Sequence, residues 1–216
     1  MGEIDMFLDI FNKAGITDIN AQANILAQIK SETNFKPRSE NLNYSESTLK
    51  KLFGNKFKSE QEIIDTVAMG PEAIGNKIYG GRMGNEANEG YKYRGRGYIQ
   101  HTGKEQYQKM SQDLKIDFVN NPDLLNEPKY AAQGMTWFLT KYKNLNLTDL
   151  SDINKLNKAI GFQDPDGSKS IKRTKIAEEY KQMLQNRIDI KQYNQEKYMK
   201  DNQFEQIHND INKVFK

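Results

Sequence analysis

The chain has 216 residues, of which 36% are hydrophobic, and its formal net charge is +3. This length and composition fit one folded domain that buries a sizeable core. There is no cysteine, and the only histidines are His101 and His208. Disulfides, a cysteine nucleophile and a multi-histidine metal site are therefore excluded. Carboxylates, hydroxyls and amides remain as candidate chemistry, and we expect no metal and no cofactor.

Charge and hydropathy narrow the expected partners and location. The N-terminus has neither a basic segment nor a long apolar run, so we expect no secretory signal. No apolar stretch approaches the length of a membrane span. Residues 169–216 carry 11 basic and 7 acidic side chains, which suits either an anionic partner or a solvated helical face. The small net charge and the lack of a recognised motif argue against nucleic acid.

Apolar spacing predicts two helices at the start of the chain. The first ends near Gly15, and Asp18 or Asn20 can cap the second, which Pro37 ends. The apolar stripe of the first is formed by Ile4, Phe7, Leu8 and Phe11. The stripe of the second is formed by Ile25, Ile29 and Glu32. Glu32 should therefore face the core or the wall of a cleft.

Further helix starts follow from capping and proline signals. They lie at Ser45, at the capping box that begins with Ser59, and at Pro71, Pro122 and Pro128. Trp137 and Phe138, on the helix after Pro128, are interpreted as core residues. One long helical pattern runs from about Ser170 to about Lys191, and another reaches Phe215.

A loop region rich in glycine, tyrosine and arginine is predicted between Gly75 and Gly103. Its glycines are Gly75, Gly80, Gly81, Gly84, Gly90, Gly95, Gly97 and Gly103. Its tyrosines and arginines are Tyr79, Tyr91, Tyr93, Tyr98, Arg82, Arg94 and Arg96. Glycine permits tight turns and close backbone approach, and aromatic rings with arginines and amides can stack on a polymer and hydrogen-bond to it.

Two carboxylates are candidates for acid and base chemistry. Burial of Glu32 would favour its protonated form, which can donate to a glycosidic oxygen. Glu40 follows the helix end and can return to face it, as a glycosidase pair requires. The alternatives are that Glu32 simply reaches solvent and that Glu40 pairs with Arg38 or Arg82. Glu46 is a weaker rival, since it suits the first turn of a helix.

Four sequence blocks, in order, resemble glycoside hydrolase family 19, which includes chitinases and many bacteriophage endolysins. They are Ala27–Phe35 (AQIKSETNF), Glu40–Ser45 (ENLNYS), Asn76–Asn85 (NKIYGGRMGN) and Tyr93–Gly103 (YRGRGYIQHTG). A fifth segment, Asn157–Gly161 with Arg173 downstream, resembles a degraded form of the family's Asn-Gly-Gly segment. The resemblance covers about residues 20–175, and the second block favours the endolysin-like branch.

The resemblance implies a mainly α, lysozyme-like helical domain with the loop region at its active site. Residues 1–216 would form a single catalytic domain, with C-terminal helices over about 176–216. Glu32 matches the general acid, Glu40 a base or electrostatic stabiliser, and Thr102 the residue that holds the attacking water. The implied substrate-binding residues are Gln100, Gln106, Tyr107, Tyr44, Asn43, Arg94 and Arg96. The two arginines could instead brace Glu32 or Glu40 by ion pairs.

The implied function is inverting cleavage of β-1,4 glycosidic bonds in peptidoglycan for host cell lysis. Chitinase activity and a non-catalytic wall-binding role are the alternatives. We expect a monomer that stays in the host cytoplasm before lysis and then acts on the wall. The C-terminal run of Phe204, Ile207, Ile211, Val214 and Phe215 could engage an anionic membrane or pack against the domain.

Two residues depart from the family pattern. Lys30 stands two residues before Glu32, where the family usually has His, and it would oppose the acid role of Glu32 if it faced the cleft. His101 replaces a usual aliphatic residue. We interpret it as a structural or substrate-neighbouring residue.

Overall fold

The computed structural model describes residues 2–161, 164 and 167–214, with the backbone alone at 201 and 204–214. Helices dominate these residues, which confirms the predicted mainly α fold. They are α1 (Glu3–Lys13), α2 (Ile19–Thr33), α3 (Glu46–Phe53), α4 (Glu60–Ala68), α5 (Pro71–Tyr79), α6 (Lys104–Leu114), α7 (Pro128–Trp137), α8 (Leu147–Ser151), α9 (Ile153–Ala159) and α10 (Ser168–Val214). Short 3-10 turns span Gly54–Lys56 and Pro122–Asn126, and a π-helical turn spans Phe138–Tyr142.

Helix α2 lies at the centre of the domain. Its start follows from Asp18, whose carboxylate accepts a hydrogen bond from the backbone N–H of Ala21 at 2.9 Å. Every residue from Ala21 to Ile29 is buried, and the helix packs against α8, α9 and α10. A helix that is buried over more than two turns fixes the position of whatever its last turn carries.

The apolar core forms three clusters. The largest joins α1, α2 and α7 and includes Phe7, Phe11 and Leu26. A second surrounds Tyr107. Trp137 belongs to this second cluster, is 3% exposed and donates its indole N–H to Asp113 at 2.6 Å, as its interpretation as a core residue predicts. A third cluster packs α3, α4 and α5 together.

The glycine-rich loop begins after α5 and not at Gly75 as predicted, because Gly75 lies inside that helix. It includes strand β2 (Arg96–Gly97), which pairs antiparallel with β1 (Arg38–Ser39). A Cβ at Gly90 would lie only 2.3 Å from the carbonyl oxygen of Gly75, so this crossing of loop and helix requires glycine. This two-stranded β-ribbon joins the loop to the segment that follows α2.

The C-terminal part differs from the two predicted helices, since α10 runs unbroken for 47 residues. Its first half packs against α2, whereas every residue from 185 to 200 is exposed. The side chains of the apolar run from Phe204 to Phe215 lie outside the described residues. None of the described helices has both the length and the apolarity that a membrane crossing needs.

Candidate active site

Glu32 lies where α2 emerges from the core. The helix is buried up to Ile29, and Lys30, Ser31 and Glu32 are exposed. Asn34 ends the helix in the left-handed conformation, with φ of 49°, and donates its N–H to the carbonyl oxygen of Lys30 at 3.1 Å. The Glu32 side chain is 42% exposed, so its carboxylate can meet a molecule arriving from solvent.

A buried cluster of polar side chains holds Glu32 from behind. Arg173 of α10 donates from Nη2 to Oε1 of Glu32, and from Nη1 to Oε1 of Gln28 and to Oδ1 of Asn157, the last at 3.1 Å. Gln28 Nε2 also donates to Asn157 Oδ1 at 2.5 Å. The Arg173 side chain is only 4% exposed, and burial lowers its pKa to about 10, which leaves the guanidinium charged at neutral pH. Three helices, α2, α9 and α10, are therefore joined beside one carboxylate.

A cleft of about 500 Å³ opens in front of this carboxylate. Its lining comes from the end of α2, the segment after β2, the end of α9 and the first turns of α10. The lining residues are Ser31, Glu32, Tyr98, Ile99, Gln100, Ile160, Gly161, Lys169, Lys172 and Arg173. The structure thus brings Glu32 and Gln100 to one cleft.

Gln100 is held by the β-ribbon. Its backbone has a φ of 57°, a left-handed conformation that costs free energy in a residue other than glycine. Its amide Nε2 donates to the carbonyl oxygens of Arg38 at 3.0 Å and Gly97 at 3.1 Å. The side chain therefore has a defined direction at the cleft surface.

Glu40 follows β1 and is held by neutral donors. The hydroxyl of Tyr79 donates to both carboxylate oxygens, at 2.9 and 3.0 Å, and the N–H of Gly95 donates to one at 3.4 Å. Among the described residues, neither Arg38 nor Arg82 forms an ion pair with Glu40. Burial and the Glu40 charge raise the pKa of Tyr79, so its hydroxyl keeps the proton that it donates.

Thr102 lies on the turn after Gln100. Its hydroxyl donates to the carbonyl oxygen of Gln100 at 2.8 Å, and its backbone N–H donates to Oε1 of Gln106 at 3.1 Å. The same Gln106 oxygen lies 3.1 Å from Nδ1 of His101. Gln106 thus fixes the turn that carries Thr102. No group of three or more metal-ligating side chains occurs within the described part of the chain.

Comparison with known proteins decides the family. No family model matches the chain. A relative from Haemophilus influenzae, named "Glycosyl hydrolase family 19 domain-containing protein", is 33% identical over 152 residues, which is 68% of this chain and 74% of the relative. The chain belongs to glycosyl hydrolase family 19. The predicted membership is confirmed at this level, and its endolysin-like branch stays a prediction.

Lys30, the departure from the family 19 pattern next to Glu32, points away from the cleft. Its Nζ donates to Oδ1 of Asn34 at 2.6 Å and lies 5.9 Å from the centre of the Phe35 ring. It is not among the residues that line the cleft. The cation that does contact Glu32 is Arg173, which lies 141 residues away.

Two of the expected substrate-binding residues are buried in this family 19 chain. Tyr107 is fully buried, and its hydroxyl donates to the carbonyl oxygen of Arg94 at 3.0 Å. Arg96 is 2% exposed and pairs with Asp123 at 2.7 Å, rather than with Glu32 or Glu40. Both side chains are turned into the protein, which corrects the expectation of glycan contact and makes them supports of the loop.

The remaining expected binding residues lie at the surface around Glu40. Arg94 is half-buried, stacks 4.0 Å from the centre of the Tyr91 ring and donates to the Tyr91 carbonyl oxygen at 2.9 Å. Asn43 is exposed. Tyr44 packs on Phe53, with 5.9 Å between the ring centres. Burial, and then the nearby Glu40 charge, raise the pKa of Tyr44. None of these three lines the cleft at Glu32.

Sequence reasoning assigned no role to the contacts that hold the two carboxylates. Tyr79 was part of the glycine-rich pattern and Arg173 part of the fifth family-like segment, and both contact a carboxylate. Gln28 and Asn157 complete the cluster. A signal was present, since each lies in or downstream of a segment that resembles family 19, but the sequence does not show which of these residues contact one another.

His101 is buried in its neutral form. Because Gln106 Oε1 already accepts from the N–H of Thr102, it must also accept from His101, so Nδ1 carries the proton. Nε2 is left buried without a hydrogen-bond partner among the described residues, 3.0 Å from where a Cβ at Gly134 would lie. Burial lowers the pKa of His101 from 6.5 to about 4, although the contact with Gln106 acts the other way.

The fold is expected to lose stability when His101 is forced to protonate. The unfolded chain binds the proton below pH 6.5 and the folded chain only below about 4, so the free energy of unfolding falls across this window by about 3 kcal/mol. Urea denaturation between about pH 7 and about pH 4 should show a smaller decline in His101→Asn than in the wild type. The matched control is His208→Asn, and equal declines in all three proteins would contradict the assignment.

Proposed function

We propose that this family 19 protein cleaves the β-1,4 glycosidic bonds of bacterial peptidoglycan by acid and base catalysis, with inversion at the anomeric carbon. The observation that carries the proposal is the position of Glu32, which is solvent-accessible at a 500 Å³ cleft and held from behind by buried Arg173. A proton donor for a glycan must be accessible and rigidly placed, and Glu32 has both properties.

In this mechanism Glu32 gives its proton to the oxygen of the leaving sugar. Arg173 contacts the Glu32 side chain in the empty cleft. The step requires that Glu32 is protonated when the glycan is bound. Arg173 then stabilises the carboxylate that remains after the proton has left, so Glu32 finishes the step as a paired anion.

Glu40 acts in this mechanism as the base, and Thr102 holds the attacking water. Tyr79 and Gly95 donate hydrogen bonds to the Glu40 carboxylate and so fix the position of the oxygens that accept the proton. The water gives one proton to Glu40 while its oxygen bonds to the anomeric carbon and the bond to the leaving oxygen breaks. Gln100 contributes an amide to the lining of the cleft. Inversion requires the water on the face opposite the leaving group.

The biological role that we propose is host cell lysis. The Glu40–Ser45 block resembles the endolysin-like branch, whose substrate is peptidoglycan. The protein would act as a monomer, accumulate in the host cytoplasm and reach the wall through a membrane lesion that another protein makes. Chitin has the same β-1,4 linkage, so chitinase activity is the outcome against which the proposal is tested.

The test is digestion of purified peptidoglycan and of chitin, with products identified by mass spectrometry. We expect muropeptides with newly formed reducing ends from peptidoglycan, released at least about a hundredfold more slowly by Thr102→Ala. Thr102→Ser keeps the hydroxyl and is the matched control. Release of peptides without reducing ends would indicate an amidase or peptidase, and cleavage of chitin alone would make the protein a chitinase. A product with retained anomeric configuration would contradict the role of Thr102.

A further inference from the structure

His101 is a buried residue beside the site that the mechanism does not use. It is 1% exposed, its ring packs edge-on against Phe138 with 5.8 Å between the ring centres, and a β-bridge to Arg96 fixes its backbone. Its Nε2 is buried without a hydrogen-bond partner among the described residues. A buried nitrogen without such a partner lowers the stability of a fold, so packing alone would favour an aliphatic side chain at this position.

The other nitrogen of the His101 ring acts on Gln106. Oε1 of Gln106 lies 3.1 Å from Nδ1 of His101 and 3.1 Å from the backbone nitrogen of Thr102. Two donors on one oxygen hold that oxygen towards the protein. The amide nitrogen of Gln106 makes no hydrogen bond within the described residues and is not among their buried unpartnered atoms, so it stays accessible beside the turn that carries Thr102.

These contacts connect the His101 ring to the cleft. Thr102 donates its N–H to Gln106 and its hydroxyl to the carbonyl oxygen of Gln100, and Gln100 lines the cleft. The N–H of Thr102 alone would still bind the Gln106 oxygen, but one hydrogen bond leaves the amide free to turn about it. The second donor, His101, fixes the plane of the amide and with it the turn.

We propose that His101 is a positioning residue for the reaction. Through Gln106 it fixes the turn of Thr102 and keeps the amide nitrogen of Gln106 directed outwards, where it donates to an oxygen of the glycan. This inference rests on the proposed function and adds to it a residue that touches neither the glycan nor the water. The resemblance to family 19 does not supply this role, because the family usually has an aliphatic residue at this position.

The first part of the test is His101→Leu. Leucine removes the donor to Gln106, so kcat/KM for peptidoglycan should fall roughly fivefold. It also removes the unpartnered Nε2 from the core, so the melting temperature should equal or exceed that of the wild type. A merely structural role of His101 would instead lower activity and stability together.

His101→Asn is the conservative variant that should rescue activity. Its side-chain amide places an N–H where Nδ1 of the ring was, so kcat/KM should return to near the wild-type value. Asparagine also leaves a cavity beside Trp137 and Phe138, which should lower the melting temperature. The two variants should therefore rank in opposite orders for activity and for stability, with both assayed well below their melting temperatures.

A double-mutant cycle shows whether His101 acts through Gln106. In the Gln106→Ala background, His101→Leu should have no further effect on kcat/KM, whereas residues that act independently would give effects that multiply. The matched control background is Gln112→Ala, which truncates an exposed glutamine of the same helix. There His101→Leu should keep its roughly fivefold effect.

Wild-type kcat/KM in His101→Leu would overturn the inference and leave the proposed function standing. So would effects that multiply in the Gln106→Ala background, or an activity loss in His101→Leu that comes with a lower melting temperature and is not rescued by asparagine. If the wild type released no new reducing ends from peptidoglycan, the proposed function would fall and the inference with it.

Discussion

Replacing Glu32 with glutamine is expected to lower kcat for peptidoglycan by about 10²–10⁴-fold. Glutamine has nearly the same shape but carries no acidic proton for the leaving oxygen. Its amide oxygen can still accept the hydrogen bond from Arg173, so the cluster with Gln28 and Asn157 should persist. The loss should therefore fall on the chemical step, and the release of reducing ends under saturating substrate measures it.

The matched control is Glu46→Gln, in the first turn of α3. It removes one carboxylate from an exposed position away from the cleft and should leave both kcat and the melting temperature close to the wild-type values. If Glu32→Gln turned over peptidoglycan at the wild-type rate, Glu32 would not be the proton donor, whatever its place at the cleft.

Replacing Arg173 with methionine is expected to lower the free energy of unfolding by about 3 kcal/mol. The change removes the donors that bind Gln28, Glu32 and Asn157. It also leaves buried oxygen atoms of Gln28 and Asn157 without the guanidinium. For a domain of this size the melting temperature should fall by about 6–12 °C. Thermal unfolding followed by circular dichroism measures this change.

Arg187→Met, on the same helix, is the control for Arg173→Met. Arg187 pairs with Asp5, but both side chains are about two-fifths exposed, at 44% and 40%. A pair so open to solvent contributes little to stability. Equal melting temperatures for the two variants would show that the buried Arg173 cluster contributes no more to stability than the exposed Arg187–Asp5 pair. A large decrease in melting temperature for Arg173→Met alone would support the predicted contribution of the buried cluster.

The helices were predictable because their signals are local. Asp18, Ser45 and Ser59 begin the helices that their side chains cap, and the apolar stripe of α2 leads to Glu32. The orientation of Lys30 was also open to prediction, since residues two apart on a helix point to nearly opposite sides. The unbroken course of α10 was missed, although the absence of glycine and proline near Lys191 is itself a signal that the helix continues.

The contacts around the carboxylates could not be predicted, because they join distant parts of the chain. Glu32 meets Arg173 across 141 residues, and Glu40 meets Tyr79 across 39. Tyr107 follows the fourth block, where the resemblance implies a substrate-binding aromatic residue, yet the packing of α6 turns its ring inward. Whether an aromatic side chain binds glycan or fills the core depends on which helix covers it. The residue type alone does not predict this.

The contact between Glu32 of α2 and Arg173 of α10 also determines when the cleft can form during protein synthesis. Glu32, Glu40 and Thr102 leave the ribosome well before Arg173. A nascent chain that stops near residue 160 holds the carboxylates but lacks one side of the cleft and the partner that fixes Glu32. The cleft is therefore complete only after about four-fifths of the polypeptide has been made, when the start of α10 can dock on α2.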